Sequence, residues 1–171
     1  MSFLSRIFGK KTDDRAHVRP LWHRTVEIAR EKAWYADCGV ADSVPGRFDA
    51  ITLVLSLVLL RMEREDALIE PSVRLTEIFV DDMDGQLRES GVGDIVVGKK
   101  IGKLMSVLGG RLGAYREALP QGEAALTEAI ARNVTLTEDG DAAKVAARAM
   151  AFAAQLDALT GVDLLAAKLG R

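Results

Sequence analysis

Apolar residues recur every three or four positions through most of this sequence, which is the spacing of amphipathic α-helices. The pattern predicts helices over residues 21–38, 51–60, from Pro71 onward, after Asp94, over 123–134 and over 142–169. The last of these is one long helix or two helices divided near Thr160 and Gly161. We therefore predict an all-α fold, a single compact helical domain of about six to seven helices.

Residues 51–60 are the most apolar stretch of the chain. The stretch is about half the length that crosses a bilayer, and Asp49 and Arg61 bound it. Because it is apolar on nearly every side, we expect it to be the central helix, surrounded by the others.

Glycine and turn-forming residues predict where these helices end. Gly39 supplies a stop for the first helix, and residues 40–46 have the composition of a loop. Gly91 and Gly93 separate two helices, and the Gly109–Gly110 pair predicts a kink or an interruption in the second of them.

Composition excludes several classes of protein. Hydrophobic residues make up 49% of the chain and aromatic residues only 5%, so the core must be aliphatic. A net charge of -2 argues against nucleic-acid binding driven by bulk charge. A single cysteine, Cys38, excludes an internal disulfide and most structural zinc sites, and the two histidines lie too far along the chain to form a local dyad with it. We expect no cofactor, no metal and no small-molecule substrate.

Residues 1–16 differ from the helical domain predicted over residues 17–171. Their first part places four apolar side chains on one helical stripe with three cations beside it, a pattern typical of a membrane-interface helix: Phe3, Leu4, Ile7 and Phe8 with Arg6, Lys10 and Lys11. The alternative is a tail whose apolar residues cover the domain or have no role. Since no secretory signal is visible, we expect a cytoplasmic protein, with peripheral contact to the inner face of the membrane if the first interpretation holds.

Two patterns suggest chemistry, and both are weak. Residues 93–100 approach a phosphate-binding loop, but Lys100 stands where a hydroxyl is needed and a helix precedes the glycine instead of a strand. Asp81, Asp82 and Asp84 lie close in sequence, yet Asp82 points away from the other two on a helix. An acidic, partner-facing surface is favoured over a metal site.

Several motifs in order resemble those of the ubiquinol-cytochrome c chaperone family, the assembly factors of respiratory complex III. They are Trp34-Tyr35, Gly39-Val40 with Asp42, Gly46-Arg47-Phe48-Asp49, Phe79-x-Asp81-Asp82-Met83-Asp84 with Leu87-Arg88-Glu89, Gly91-Val92-Gly93-Asp94, Val97-Gly98-Lys99 and Gly110-Arg111-x-x-Ala114-Tyr115. The resemblance implies a non-enzymatic, all-helical protein that binds newly made cytochrome b and helps it into complex III. The alternative is a membrane-surface adaptor or an interaction module with a different client.

We predict a charged partner-binding surface, with an aromatic residue as a candidate anchor. Its members are Arg47, Asp49, Asp81, Asp82, Asp84, Arg88, Glu89, Asp94, Lys99, Lys100 and Tyr115. The partner expected there is cytochrome b or another complex III subunit.

Charge reversal at Asp82 and Asp84 is expected to weaken partner binding without unfolding the domain, because both side chains are predicted to be solvated. Affinity for the captured partner and the helical circular dichroism signal are the two measurements. Unchanged affinity would remove this surface from consideration.

Overall fold

The apolar stretch of the sequence forms the central helix of the structure, a computed structural model that describes residues 13–89 and 94–170, and only the backbone of residues 87, 88 and 94–101. The α-helices are α1 (Arg19–Ala29), α2 (Lys32–Ala36), α3 (Val44–Met62), α4 (Ile69–Glu89), α5 (Asp94–Ala118), α6 (Glu123–Asn133), α7 (Ala142–Asp157) and α8 (Gly161–Leu165). Short 3-10 turns precede α1 and α4 and follow α5. The all-α prediction is confirmed.

Helix α3 is buried along nearly its whole length because α1, α5 and α7 pack around it. Its start is fixed by Ser43, whose hydroxyl accepts a hydrogen bond from the Gly46 amide at 3.2 Å, and by Pro45 in the first turn. The predicted loop over residues 40–46 is therefore too long, since the helix already begins at Val44. Among the described helices none is long and apolar enough to cross a membrane.

The helix predicted over residues 21–38 is two helices, so that part of the prediction is wrong. The chain turns at Glu31, where ψ is 131°, and two aromatic side chains bond the carbonyls that end α1. Trp34 Nε1 donates to the Ile28 carbonyl at 2.8 Å and the Tyr35 hydroxyl donates to the Ala29 carbonyl at 2.9 Å. These bonds satisfy carbonyls that a continuous helix would have used.

The predicted interruption at Gly109–Gly110 is absent from α5, which runs unbroken to Ala118. A Cβ added at either glycine would have no atom within 4 Å, so both glycines face open space and no close contact with another element requires glycine there. The division of residues 142–169 near Thr160 is confirmed. The Thr160 hydroxyl accepts from the Asp163 amide at 3.1 Å and begins α8.

Two loops from distant parts of the chain are joined backbone to backbone. The Ala41 amide donates to the Thr135 carbonyl at 2.9 Å, and the Thr137 amide donates to the Gly39 carbonyl at 2.8 Å. Gly39 has a φ of 78°, and a Cβ there would lie 2.4 Å from the Gly140 Cα. The close approach therefore requires glycine on both sides. We call this pair of loops, residues 37–41 and 134–141, the loop clasp.

Replacement of Gly46 by alanine is expected to lower the free energy of unfolding by about 2–4 kcal/mol, because the added Cβ would lie 1.9 Å from the Ala41 carbonyl oxygen. Gly113→Ala is the matched control. That residue lies in α5 with nothing within 4 Å of the added Cβ, so the substitution should raise the free energy of unfolding by up to about 1 kcal/mol. Urea denaturation measures both, and similar values for the two variants would contradict the packing seen at Gly46.

Candidate functional site

A large groove lies beside the start of α3, with a volume of about 1070 Å³. Its apolar lining is buried or half-buried and comes from α2, α3, α4 and α5, namely Tyr35, Phe48, Ile51, Met83 and Leu104. Val44 and Pro45 lie at its edge, and Val44 is 83% exposed. An apolar recess bordered by an uncovered apolar side chain is typical of a surface that receives another chain.

The exposed polar margin of the large groove carries more positive than negative charge. Arg30, Lys32 and Arg47 lie along it, with Asp42 as the acid among the lining residues. The Arg47 Nε is 2.7 Å from an Asp42 carboxylate oxygen, and this hydrogen bond lowers the pKa of Asp42. Neither Arg30 nor Lys32 forms an ion pair with an acid of the described ranges, so two cations remain available to a ligand.

A buried ion pair lies behind the α3 residues that line the large groove and joins α3 to α5. Asp49 is 4% exposed, and its carboxylate lies 2.7 Å from Arg111 Nη2 of α5. The other carboxylate oxygen accepts from the Thr135 amide at 2.8 Å and from the Thr135 hydroxyl at 2.7 Å. One acid of α3 therefore holds both α5 and the loop clasp.

Arg111 extends this network to the groove itself. Its Nη1 donates to the Thr52 hydroxyl at 2.6 Å, and its guanidinium carbon lies 5.4 Å from the centre of the Phe48 ring. Since Phe48 lines the groove, the same arginine that neutralises Asp49 also positions part of the apolar lining. We call Asp49, Arg111, Thr52 and Thr135 the buried network.

Two predicted surface residues are in the interior, so their assignment to a partner surface is wrong. Asp49 is enclosed because its charge is matched by Arg111, and Tyr115 is fully buried one turn further along α5. The Tyr115 hydroxyl has no hydrogen-bond partner among the described residues, and burial raises the pKa of Tyr115 well above its usual range.

The acidic residues of α4 do not converge on one point. Asp81 is exposed and pairs with Arg15, while the Asp82 carboxylate accepts from Trp22 Nε1 at 2.8 Å. Asp84 is half-buried and Glu89 is exposed. Within residues 13–89 and 94–170, no group of acids, histidines and cysteines is arranged to hold a metal ion. Charge reversal at Asp82 would also remove a contact between α1 and α4.

The remaining predicted positions divide between the groove and the undescribed parts of the chain. Arg47 lies on the margin of the large groove. The side chains of Arg88, Asp94, Lys99 and Lys100 lie outside the described residues, as do Phe3, Leu4, Arg6, Ile7, Phe8, Lys10 and Lys11.

Sequence reasoning missed Arg30, Lys32 and Val44 as lining residues of the groove. Val44 falls in a stretch with loop composition, and the cations fall near the turn between α1 and α2 that was not predicted. No local pattern marks them, because the groove is formed by residues of α2, α3, α4 and α5 that are distant in sequence.

Removal of either member of the buried ion pair is expected to cost about 3–5 kcal/mol of unfolding free energy, since it leaves the other charge buried and uncompensated. Asp49→Ala, Arg111→Ala and the double variant should be compared by urea denaturation, and the double variant should lose less than the two single losses combined.

Arg116→Ala is the control on the same helix. Arg116 pairs with Glu63 at 2.6 Å, but 51% of its side chain is exposed, so its loss should cost no more than about 1 kcal/mol. Equal losses for Arg111→Ala and Arg116→Ala would contradict the role given to the buried pair.

A solved structure shares this fold, and a family of known proteins matches most of the chain. The crystal structure of the Cbp3 homolog from Brucella abortus is similar to this chain with a TM-score of 0.80 and 31% sequence identity, covering 99% of this chain and 96% of that one. A comparison with curated protein sequences gives no significant match. The sequence pattern described as ubiquinol-cytochrome C chaperone matches residues 36–169, a range that contains the large groove's α3 wall and the whole buried network. The chain therefore belongs to the ubiquinol-cytochrome c chaperone family.

Proposed function

We propose that this protein is a non-enzymatic assembly chaperone that binds newly made cytochrome b and promotes assembly of respiratory complex III. The family supports the general role, since its members are described as ubiquinol-cytochrome c chaperones. The observation that carries the proposal is the large groove, with its apolar lining and cationic margin. In this proposal the protein acts on the cytoplasmic face of the membrane that receives cytochrome b.

A groove of this kind suits a segment of a membrane protein before its insertion. Such a segment is apolar, and covering apolar surface stabilises a complex by about 25 cal/mol per Å². Phe48, Ile51 and Met83 offer a lining that is already packed from behind, so little ordering is needed when a client binds.

The cationic margin determines the orientation in which the client segment binds. Arg30 and Lys32 have no acidic partner within the described ranges, and carboxylates flanking an apolar client segment would neutralise them. Exposed charges of this kind affect the rate of association and the register more than the affinity itself.

The predicted charged surface remains part of the proposal without Asp49 and Tyr115. Arg47 lies at the groove. The residues proposed to meet the polar parts of the client beyond it are Asp81, Asp82, Asp84, Arg88, Glu89, Asp94, Lys99 and Lys100. Asp81 and Asp82 already serve contacts within the chain, so their contribution to a client competes with those contacts.

The first experiment is an affinity capture from membranes of the source organism, with cytochrome b and the other complex III subunits quantified. Enrichment of cytochrome b while complex III is being made is the expected result. Its absence under those conditions, together with enrichment of another membrane protein, would replace this proposal with an adaptor for that protein.

Val44→Glu is expected to lower the amount of cytochrome b captured about tenfold, since it places a charge at the apolar edge of the groove, and a tenfold loss of affinity equals about 1.4 kcal/mol. Val162→Glu is the matched control. Val162 is 79% exposed against 83% for Val44, and each lies in the first turn of a helix, but Val162 lies outside the groove lining. Equal capture by both variants would show that the client does not use the large groove.

A further inference from the structure

A second groove lies between α4 and α5, and of its lining residues only Asp81 also belongs to the surface proposed to meet the client. Its volume is about 550 Å³, and its apolar lining is Val73, Val80 and Met105. Val73 is 52% exposed and Met105 is 40% exposed. Two large apolar side chains are therefore left uncovered by the described chain.

The first residues that the structure describes lie beside this groove. Arg15 belongs to the lining and pairs with Asp81, which belongs to it too. Twelve residues precede Asp13 in the sequence. Phe8 lies five residues before Asp13, so an extended chain carries it up to about 17 Å, at about 3.3–3.6 Å per residue. The apolar residues of the N-terminal segment can therefore reach the groove without any movement of the helices.

The N-terminal segment is cationic, whereas acids outnumber cations among the described lining residues of the second groove. Residues 1–11 contain three cations and no acid, whereas the groove is lined by Glu77 and Asp81 beside Arg15. Asp81 pairs with Arg15 and Glu77 pairs with Arg74, but the side chain of Asp81 is 64% exposed and that of Glu77 is 42% exposed, so each carboxylate can accept a second cation. The large groove has the opposite character, since Arg30, Lys32 and Arg47 would repel the same segment.

We infer that residues 1–11 dock in the second groove of their own chain, with the Phe3, Leu4, Ile7 and Phe8 stripe over Val73, Val80 and Met105. Lys10 and Lys11 then lie beside Glu77 and Asp81. Because one apolar stripe cannot cover two surfaces, docking excludes insertion of the same stripe into a membrane interface. Anionic lipid therefore competes with the groove for this segment. The inference shares Asp81 with the proposed client surface, but it can be tested in the absence of any client.

The test is a disulfide trap in the full chain. Phe8→Cys combined with Met105→Cys should form an intramolecular disulfide under mild oxidation, because docking brings the two Cα atoms within the roughly 7 Å that the bond requires. Native Cys38 can remain, since it is buried and burial raises the pKa of its thiol.

Phe8→Cys combined with Val44→Cys is the control, because Val44 is more exposed than Met105 but lies on the cationic groove. The Met105 pair is expected to cross-link about tenfold more than the Val44 pair, the effect of a high local concentration at one site. Equal yields would overturn the inference. A cross-linked dimer in place of a cross-linked monomer would also overturn it and assign the groove to a second copy.

Two further experiments test the role of Lys10 and Lys11 and the competition between anionic lipid and the second groove. Lys10→Glu with Lys11→Glu should lower the yield of the Met105 pair, and an unchanged yield would overturn the proposed orientation. Vesicles of phosphatidylglycerol and phosphatidylcholine should lower it too, whereas vesicles of phosphatidylcholine alone should not. If the anionic vesicles bind the protein and the yield is unchanged, docking and membrane contact do not exclude each other.

Discussion

The ion pair between Asp49 and Arg111 is the constraint on which the rest of the structure depends. It joins the central helix to α5, and through Thr135 it also holds the loop between α6 and α7. Burying two charges costs free energy that their attraction repays only in good geometry, and loss of either partner leaves an uncompensated charge in the interior. Here the arrangement includes Phe48 under the Arg111 guanidinium, so that one interior contact determines part of the exposed groove.

The helices were predictable from the sequence because each of them has an apolar face of the right period. Deviations from that prediction have tertiary causes. Trp34 and Tyr35 end α1 by donating hydrogen bonds to carbonyls six residues earlier. Helix propensities describe single residues and do not include such side-chain bonds. Gly109 and Gly110 do not interrupt α5, because packing of Leu108, Leu112 and Tyr115 outweighs a cost of about 1 kcal/mol for each glycine.

The candidate site was predictable only in part. The sequence predicts a surface position for Asp49 and Tyr115, and both are buried. For Asp49 the reason is that an acid beside Arg47 and Phe48 gives no local sign of burial. Its partner, Arg111, lies 62 positions later in the sequence. The large groove could not be predicted, because its lining comes from four helices, α2, α3, α4 and α5, whose residues are far apart in the sequence. The structure in turn separates two surfaces by charge: a cationic groove at α3 and an acidic one at α4.

The loop clasp has a consequence for the order in which the protein folds during its own synthesis. The contact between Gly39 and Thr137 joins residues 98 positions apart and that between Asp49 and Thr135 joins residues 86 positions apart, so both form late in a chain made from its N-terminus. Until the α6–α7 loop has left the ribosome, Asp49 lacks two of its hydrogen bonds and α3 lacks α7, one of the helices that cover it. The face of the most apolar helix that α7 covers thus stays without that cover until residues 142–157 have been made, so a member of a chaperone family presents an uncovered apolar helix face during its own synthesis.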